Sequence, residues 1–410
     1  MSGATQDPIV AAKRIDIARA AAAQYGYPSI SLRTIAVTGT NGKTTTVNIL
    51  RSLLDLPASP AASIGTLGVL VGMEGRPIPG GLGLTTPGPD ELQRVLRELV
   101  DAGVQSVAME VSSHALDQHR IHGITFDAAV FTNFTRDHLD YHGTMEDYFA
   151  AKAKLVGYIK GSGAAVVNAD QPEWESLPIP PRLVTYGINS GDVRAEDISF
   201  DATGSNWTLR AGDDSESVRL PLVGDFNVIN SLAAVAAALS VGIPLRALAH
   251  SLSVVPQVPG RLELIAHSPP IIRDYAHTPD ALVRTLAAVR PFVDGKLILV
   301  FGAGGDRDPG KRPLMGAAAE AGADRVIVTS DNPRTEDPDA IIDEIERGMH
   351  LPHERLGDRR KAIARAIEIA SPSDTILLAG KGHETYQVVG TEKRPFDERQ
   401  VVEELLGLAS

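Results

Sequence analysis

For most of its length the chain alternates short apolar runs with longer stretches of helical spacing. Residues 8 to 24, PIVAAKRIDIARAAAAQ, are Ala-rich with helical periodicity and lead into the apolar run Thr34-Ile35-Ala36-Val37. Segments 106–111, 128–131, 164–168, 296–301, 325–329 and 375–378 are apolar and of strand length. Runs of this length predict strands buried on both faces. Between them, 90–101 and 145–158 carry helical patterns. Strand and helix in alternation predict parallel sheets with crossover helices, an α/β fold. Residues 187–220 are polar and turn-rich, and predict a small antiparallel excursion. Turn chemistry at Val258-Pro259-Gly260 precedes a fresh strand–helix series. A boundary is therefore expected there, giving one domain over 1–258 and another over 259–410.

Composition narrows the function classes. A length of 410 residues suits two or three domains, and 43% apolar with 22% charged residues is ordinary for a globular chain. The formal charge of −12 argues against a nucleic-acid partner held by phosphate contacts. It leaves nucleotide binding open, because that needs only local positive charge. The absence of cysteine excludes disulfides, thiolate catalysis and Cys-ligated zinc. No apolar stretch reaches the roughly 18 residues of a membrane span, and the start MSGATQDP is not a signal peptide. The cytoplasm is the expected location.

The stretch TGTNGKTTTVNIL, residues 38–50, follows a predicted strand and opens a predicted helix. Gly42-Lys43-Thr44 is the back half of a phosphate-binding loop, in which backbone N–H groups cradle phosphate oxygens. The lysine adds charge and the threonine hydroxyl suits Mg²⁺. The strict pattern wants a glycine where Val37 stands, so the loop is a variant with Gly39 and Asn41 inside it. A Gly-containing turn with an ordinary surface lysine is the bland alternative; the strand-before, helix-after context favours nucleotide phosphate. Glu110 ends the predicted strand 106–111, and ligands of parallel sheets collect at carboxyl strand ends. It is placed as a Mg²⁺ ligand rather than a helix-capping residue beside Ser112 and Ser113. His138 and His142, in TNFTRDHLDYHG, are four apart and invite a zinc reading. The zincin pattern requires Glu where Leu139 stands, so a hard cation with oxygen ligands fits better, and His142 is expected simply to pack.

In the second half, FGAGGDRDPGKRP fails the dinucleotide pattern at Arg307. Arg307, Lys311 and Arg312 suggest an anion such as a carboxylate. SDNPRTEDP, residues 330–338, follows a predicted strand, and Asp331, Asn332 and Arg334 offer an acceptor, an amide and a guanidinium suited to an amino acid. DNP is equally good turn sequence, so this loop read alone stays open.

The motifs TGTNGKTTT, LTTPG, EVSSHALDQHR, TNFTRDHLDYHG, YFAAKAKL, GDFNVINSLAA, VPGRLE, DYAHTPDAL, GGDRDPGKRPLMG, DNPRTEDP and AGKGHETYQ together resemble the Mur ligases, ATP-dependent amide-forming enzymes of peptidoglycan synthesis. The resemblance runs from about residue 7 to the end, and is nearest to the MurE branch, which adds the third amino acid to UDP-N-acetylmuramoyl-L-Ala-D-Glu. It implies a central P-loop ATPase-type parallel-sheet domain followed by a Rossmann-like α/β domain that closes and excludes water. It implies that Gly39, Thr40, Asn41, Gly42, Lys43, Thr44 and Thr45 bind ATP phosphates. Thr44, Glu110 and His138 would hold Mg²⁺, and Lys152, as a carbamate, would hold a second Mg²⁺. Without that modification Lys152 reads as a helix-surface lysine beside Lys154. Thr85, Thr86, Ser112, Gln118 and Arg120 match acceptor contacts. Asn227, Asn230, Arg261, Asp274, Tyr275 and His277 match positions near the nucleotide. Arg307, Asp331, Asn332, Arg334, Gly380 and Glu384 match a pocket for meso-diaminopimelate, with the DNPR arginine pairing the extra carboxylate.

The phosphate loop starts at Thr38 with one predicted helix before it, whereas MurE enzymes carry a uridine-nucleotide-binding domain ahead of this point. Three readings follow. The chain joins diaminopimelate to a smaller acceptor such as L-Ala-D-Glu or another non-nucleotide carboxylate; or it uses the nucleotide-linked acceptor, with the missing domain on another chain; or it holds nucleotide without making amides. Lys43, Glu110, His138 and Lys152 together weigh against the last. A folylpolyglutamate synthetase-like enzyme shares the core chemistry but does not account for DNPR or EVSSHAL.

Overall fold

The computed structural model describes residues 8–81, 83–201 and 204–408. The chain divides into two compact units, Met1–Pro256 and Gln257–Ser410.

The first unit is built on one sheet of strands β1 (Arg33–Thr38), β2 (Ala61–Gly65), β3 (Gly68–Val71), β4 (Arg76–Ile78), β5 (Ser106–Glu110), β6 (Phe126–Phe131), β7 (Ile159–Asn168), β8 (Leu183–Gly187), β9 (Val193–Asp201), β10 (Gly204–Ala211) and β11 (Asp214–Leu220). Their order is β11-β10-β9-β8-β7-β6-β1-β5-β2-β3-β4. Neighbours from β2 through β9 run parallel, while β3–β4 and β10–β11 close the two ends antiparallel. The polar stretch 187–220 thus extends the main sheet instead of forming a separate one. After β1 the chain crosses to one side, and after β5 it returns to the other, so β1 is the point where strand order reverses. Open α/β sheets bind ligands at such a point, outside the carboxyl strand ends.

Both faces of this sheet are covered. On one lie the helices Lys43–Leu54 and Asp225–Ser240, the latter with Ala233, Ala234, Ala236, Ala237 and Ala238 fully buried. An alanine face lets two helices approach closely, which brings the start of Asp225–Ser240 against the phosphate loop. On the other face the helix Pro89–Asp101 buries Leu92, Val95, Leu96 and Leu99, the one-sided spacing of an amphipathic helix. The helical pattern of 145–158 forms an α-helix, Met145–Ala153, that tightens into a 3₁₀ turn, Lys154–Tyr158. Residues Pro8–Gln24 are helical. No helix of the described residues is long and apolar enough to cross a membrane.

The second unit contains β12 (Glu263–His267), β13 (Pro270–Asp274), β14 (Leu297–Phe301), β15 (Arg325–Val328), β16 (Glu354–Arg355) and β17 (Thr375–Ala379), in the order β12-β13-β17-β14-β15-β16. All neighbours are parallel except β12 and β13. A separate hairpin joins β18 (Tyr386–Val389) to β19 (Glu392–Pro395). Asp274 ends β13, while Gly302, Ser330 and Gly380 follow soon after β14, β15 and β17, so four loops emerge at the same sheet end.

Candidate active site

The first-unit site begins at the loop after β1. Gly39 and Gly42 both have positive φ, 140° and 83°, and both are pressed by neighbours. A Cβ on Gly39 would lie 1.9 Å from Thr132 Oγ1, and one on Gly42 would lie 2.3 Å from Asn230 Oδ1. Glycine is required here by conformation and by close approach together. The loop is strapped to the segment after β6: Thr40 N donates to Asn133 O at 2.8 Å, Asn41 N to Asn133 Oδ1 at 2.8 Å, and Thr132 Oγ1 to Asn41 O at 2.7 Å. Gly42 caps the helix Lys43–Leu54, whose first-turn N–H groups and dipole favour an anion. Thr45 lies buried in that first turn. Asn227 and Asn230 stand in the first turns of Asp225–Ser240, where Asn230 Nδ2 donates to Asn227 Oδ1 at 3.3 Å.

Two lysines converge on the loop. Lys43 Nζ donates to Gly39 O and Thr40 O, and Lys152 Nζ donates to Gly39 O at 2.7 Å. Lys152 is 1% exposed and lies 4.4 Å over the Tyr148 ring, so it is not the helix-surface lysine that its sequence neighbourhood suggested. Burial, reinforced by the charge of Lys43, holds its pKa well below the usual lysine range. His138 has φ 53° and packs edge-on to His114, with its Nε2 3.4 Å from Asp137. Desolvation lowers its pKa and Asp137 opposes, while His114, Lys43 and Lys152 lower it further, so the ring is neutral near pH 7. His142 is buried against His114 and Tyr148, and its Nε2 shares a hydrogen bond with Ser113 Oγ at 3.0 Å.

Glu110, 1% exposed, sits at the carboxyl end of β5. Its Oε2 accepts from Thr44 Oγ1 at 3.1 Å and from Thr66 Oγ1 at 3.2 Å, and its Oε1 accepts from Thr66 N at 2.8 Å. A hydroxyl and a carboxylate in contact at the mouth of a phosphate loop are the oxygen donors Mg²⁺ takes alongside phosphate and water. Among the described residues no group of three or more His, Asp or Glu side chains forms a cage for a metal. Ligation by few side chains is the usual Mg²⁺ habit, so the donors present fit that ion.

Next to Glu110, Thr86 Oγ1 donates to Glu110 O at 2.9 Å and accepts from Ser112 N at 3.1 Å, while Thr85 Oγ1 accepts from Thr66 Oγ1 at 3.3 Å. Arg120 Nη1 donates to Thr86 O at 2.9 Å, and its Nε and Nη2 both reach Gln118 Oε1. The five residues expected at an acceptor are therefore contiguous. Thr66 was missed by the sequence reading: it follows β2, and only the pairing of β2 with β5 brings it to Glu110.

In the second unit, Arg261 lies 4.7 Å over the Tyr275 ring, and His277 packs against the same ring. Asp274 accepts from Leu262 N, Ala276 N and Thr285 Oγ1, so its carboxylate ties its own loops together. Asn332 Nδ2 donates to Glu384 Oε2 at 2.8 Å, and Asp331 lies against Gly380, where an added Cβ would meet Asp331 Oδ2 at 2.4 Å. Arg334 has φ 53°; its Nη1 donates to Gly305 O at 2.6 Å and its backbone joins the hairpin at Val388 and Gly390. Arg307 is exposed and donates to Asp306 O, with no hydrogen bond to the Asn332–Glu384 pair. The anion reading of the basic run needs correction at Arg312. That residue is 1% exposed and is neutralised by Glu336 and Glu344 at 2.8 Å each, and Lys311 Nζ donates to His277 O. Lys381 and Gln387 also reach this loop, and the sequence motif contained them without marking a role.

Known proteins match this chain over both units. Residues 37–238 match the Mur ligase middle domain, and residues 260–382 match the Mur ligase glutamate ligase domain. A UDP-N-acetylmuramoyl-L-alanyl-D-glutamate–2,6-diaminopimelate ligase of Thermosynechococcus vestitus is 48% identical, over 93% of this chain and 78% of its own. Its counterpart in Gloeobacter violaceus is 46% identical over 95% of this chain and 80% of its own. A solved structure of an enzyme with that name superposes with a TM-score of 0.66 at 36% identity, covering 96% of this chain and 83% of its own. The folylpolyglutamate synthase of Mycobacterium tuberculosis, solved with ADP and AMPPCP, shares the fold with a TM-score of 0.76 at 20% identity over 96% of this chain and 95% of its own.

Proposed function

The chain belongs to the Mur ligase family of ATP-dependent amide ligases, and from that premise we propose that it joins the amine of meso-diaminopimelate, or a closely similar amino acid, to an L-Ala-D-Glu-type carboxylate. A carboxylate is a poor electrophile, so the γ-phosphoryl group of ATP is first transferred to its oxygen, releasing ADP. The amine then attacks the acyl carbon, loses a proton, and phosphate departs. The loop Gly39–Thr45 cradles the ATP phosphates, and Lys43 stabilises charge on the group in transfer. Thr44, Glu110 and His138 would hold one Mg²⁺ and a carbamate on Lys152 would hold a second, and the ions would neutralise charge on the phosphoryl oxygens. Thr85, Thr86, Ser112, Gln118 and Arg120 orient the acceptor.

Asn227 and Asn230 in the first unit, and Arg261, Asp274, Tyr275 and His277 in the second, serve the nucleotide. Asp274 does so by fixing the loop that carries the others. The amino-acid half of the reading is supported by one observation: a guanidinium, an amide and a carboxylate, from Arg334, Asn332 and Glu384, are built into one hydrogen-bonded loop system. That set matches the ammonium and carboxylate groups of a diamino dicarboxylic acid. Arg307 and Gly380 border it.

The test is phosphate release with ATP, Mg²⁺ and meso-diaminopimelate, offering UDP-N-acetylmuramoyl-L-Ala-D-Glu or the free dipeptide L-Ala-γ-D-Glu. Turnover with either, dependent on diaminopimelate, supports the reading, and the preferred one identifies the acceptor. Active, ATP-binding protein that turns over neither would overturn it.

A further inference from the structure

Lys381 is fully buried, with none of its surface exposed, and its ammonium meets two acceptors: Asn332 Oδ1 at 3.1 Å and Glu384 Oε2 at 3.2 Å. A buried ammonium without partners is prohibitively costly, so these contacts are obligatory to the loop. They also remove an ambiguity. Asn332 Oδ1 faces two groups that can only donate, the ammonium and Val388 N at 2.9 Å. The amide must therefore point its oxygen at them and its Nδ2 at Glu384 Oε2, the orientation observed at 2.8 Å. Glu384 is consequently held by two donors on Oε2 alone, while its Oε1 takes no hydrogen bond among the described residues.

We propose that Lys381 is a positioning residue of the amino-acid subsite, fixing the Asn332 amide and directing Glu384 so that one carboxylate oxygen stays available to an ammonium of the incoming amino acid. The inference rests on the reading of Asn332 and Glu384 given above. Both loops depend on it, since Asn332 follows β15 and Glu384 follows β17, and Lys381 is the cation that joins them. Gln387 supports the same link from the hairpin side, donating to Asp331 O at 2.6 Å. A neutral residue at 381 would leave the Glu384 carboxylate without its cation and the Asn332 oxygen with Val388 N as its one remaining donor.

A double-mutant cycle on the full chain tests this, reading KM for meso-diaminopimelate, KM for ATP and kcat. Lys381→Met is expected to raise KM for meso-diaminopimelate at least tenfold while KM for ATP changes less than twofold. In the Glu384→Gln background the same substitution is expected to add less than threefold, because the group it acts through is gone. A purely structural lysine would give equal, additive losses in both backgrounds and in both KM values, and that result would overturn the proposal. An unchanged KM for meso-diaminopimelate in Lys381→Met would overturn it too. If Glu384→Gln alone leaves that KM unchanged, the reading of Glu384 itself has failed. Should Lys381→Met not fold, Lys381→Gln, which keeps a donor but no charge, carries the same outcomes.

Discussion

The ammonium groups of Lys43 and Lys152 meet at one acceptor, the carbonyl oxygen of Gly39, at 2.9 and 2.7 Å. Burial strips water from the Lys152 amine and the nearby charge of Lys43 adds repulsion, so its pKa is held well below the usual lysine range. A lowered pKa favours the neutral amine, which is the form that reacts with carbon dioxide. Activity of CO₂-stripped protein is therefore expected to fall and to return on adding bicarbonate. Lys152→Ala is expected to lose about 10²-fold or more in kcat, the scale of one lost electrostatic stabiliser, with or without bicarbonate. Activity indifferent to bicarbonate in the unmutated chain would refute the carbamate role.

Gly39→Ala tests whether the loop's shape is as constrained as its contacts indicate. The new methyl group would overlap Thr132 Oγ1 at 1.9 Å in a backbone region that side chains avoid. Strain of about 1–3 kcal/mol, plus loss of the Thr132–Asn41 bond worth about 1 kcal/mol, should appear as a lower urea midpoint. ATP binding by calorimetry should fall with it. Gly161→Ala, where an added Cβ meets nothing within 4 Å, serves as the control and should shift stability by no more than about 0.5 kcal/mol.

Arg334→Ala separates the amino acid from the nucleotide. A charged hydrogen bond to a substrate carboxylate is worth about 1.5–3 kcal/mol, so KM for meso-diaminopimelate should rise roughly 10- to 100-fold. ATP affinity should stay within about twofold. Equal losses in both would remove Arg334 from the amino-acid pocket.

Glu263 governs acid stability in the second unit. Burial by itself would raise its pKa, but the Arg273 hydrogen bond at 2.7 Å, the N–H of Gly260 and the contact with Arg399 outweigh that and hold it below the usual carboxylate value. A depressed folded value means the unfolded chain binds the proton more readily. The stabilisation is therefore complete above the unfolded pKa of about 4.3 and is lost as pH falls through the folded value. Glu263→Gln, which leaves the buried Arg273 with Asp397 as its one charged partner, is expected to cost about 3–5 kcal/mol near neutrality. The gap between the two urea midpoints should narrow on lowering the pH below about 4. A gap constant with pH would show that the carboxylate charge is not what stabilises the loop.

The sequence by itself determined the parts that depend on local chemistry. Gly42-Lys43-Thr44 marked a strand-to-helix turn that presents N–H groups and a positive charge together, and the structure has that turn between β1 and the helix Lys43–Leu54. The buried apolar runs predict parallel strands because neither face can meet water, and the spacing of Leu92, Val95, Leu96 and Leu99 predicts a one-sided helix. The place of Glu110 at the carboxyl end of a buried strand was legible as well.

What the sequence could not contain is anything decided by which strands pair. Thr66 reaches Glu110 only because β2 lies beside β5. Lys152 has the sequence setting of a surface lysine, and becomes a buried one because its helix turns it onto the Gly39 carbonyl. Arg312 reads as an anion site until Glu336 and Glu344 are found neutralising it from 24 and 32 residues away. The link from Lys381 to Asn332 spans 49 residues and two strand ends. Local pattern fixes which elements form and what chemistry they carry. Long-range packing alone fixes whether a charge meets solvent, a partner or a substrate, because desolvation and pairing depend on neighbours distant in the chain.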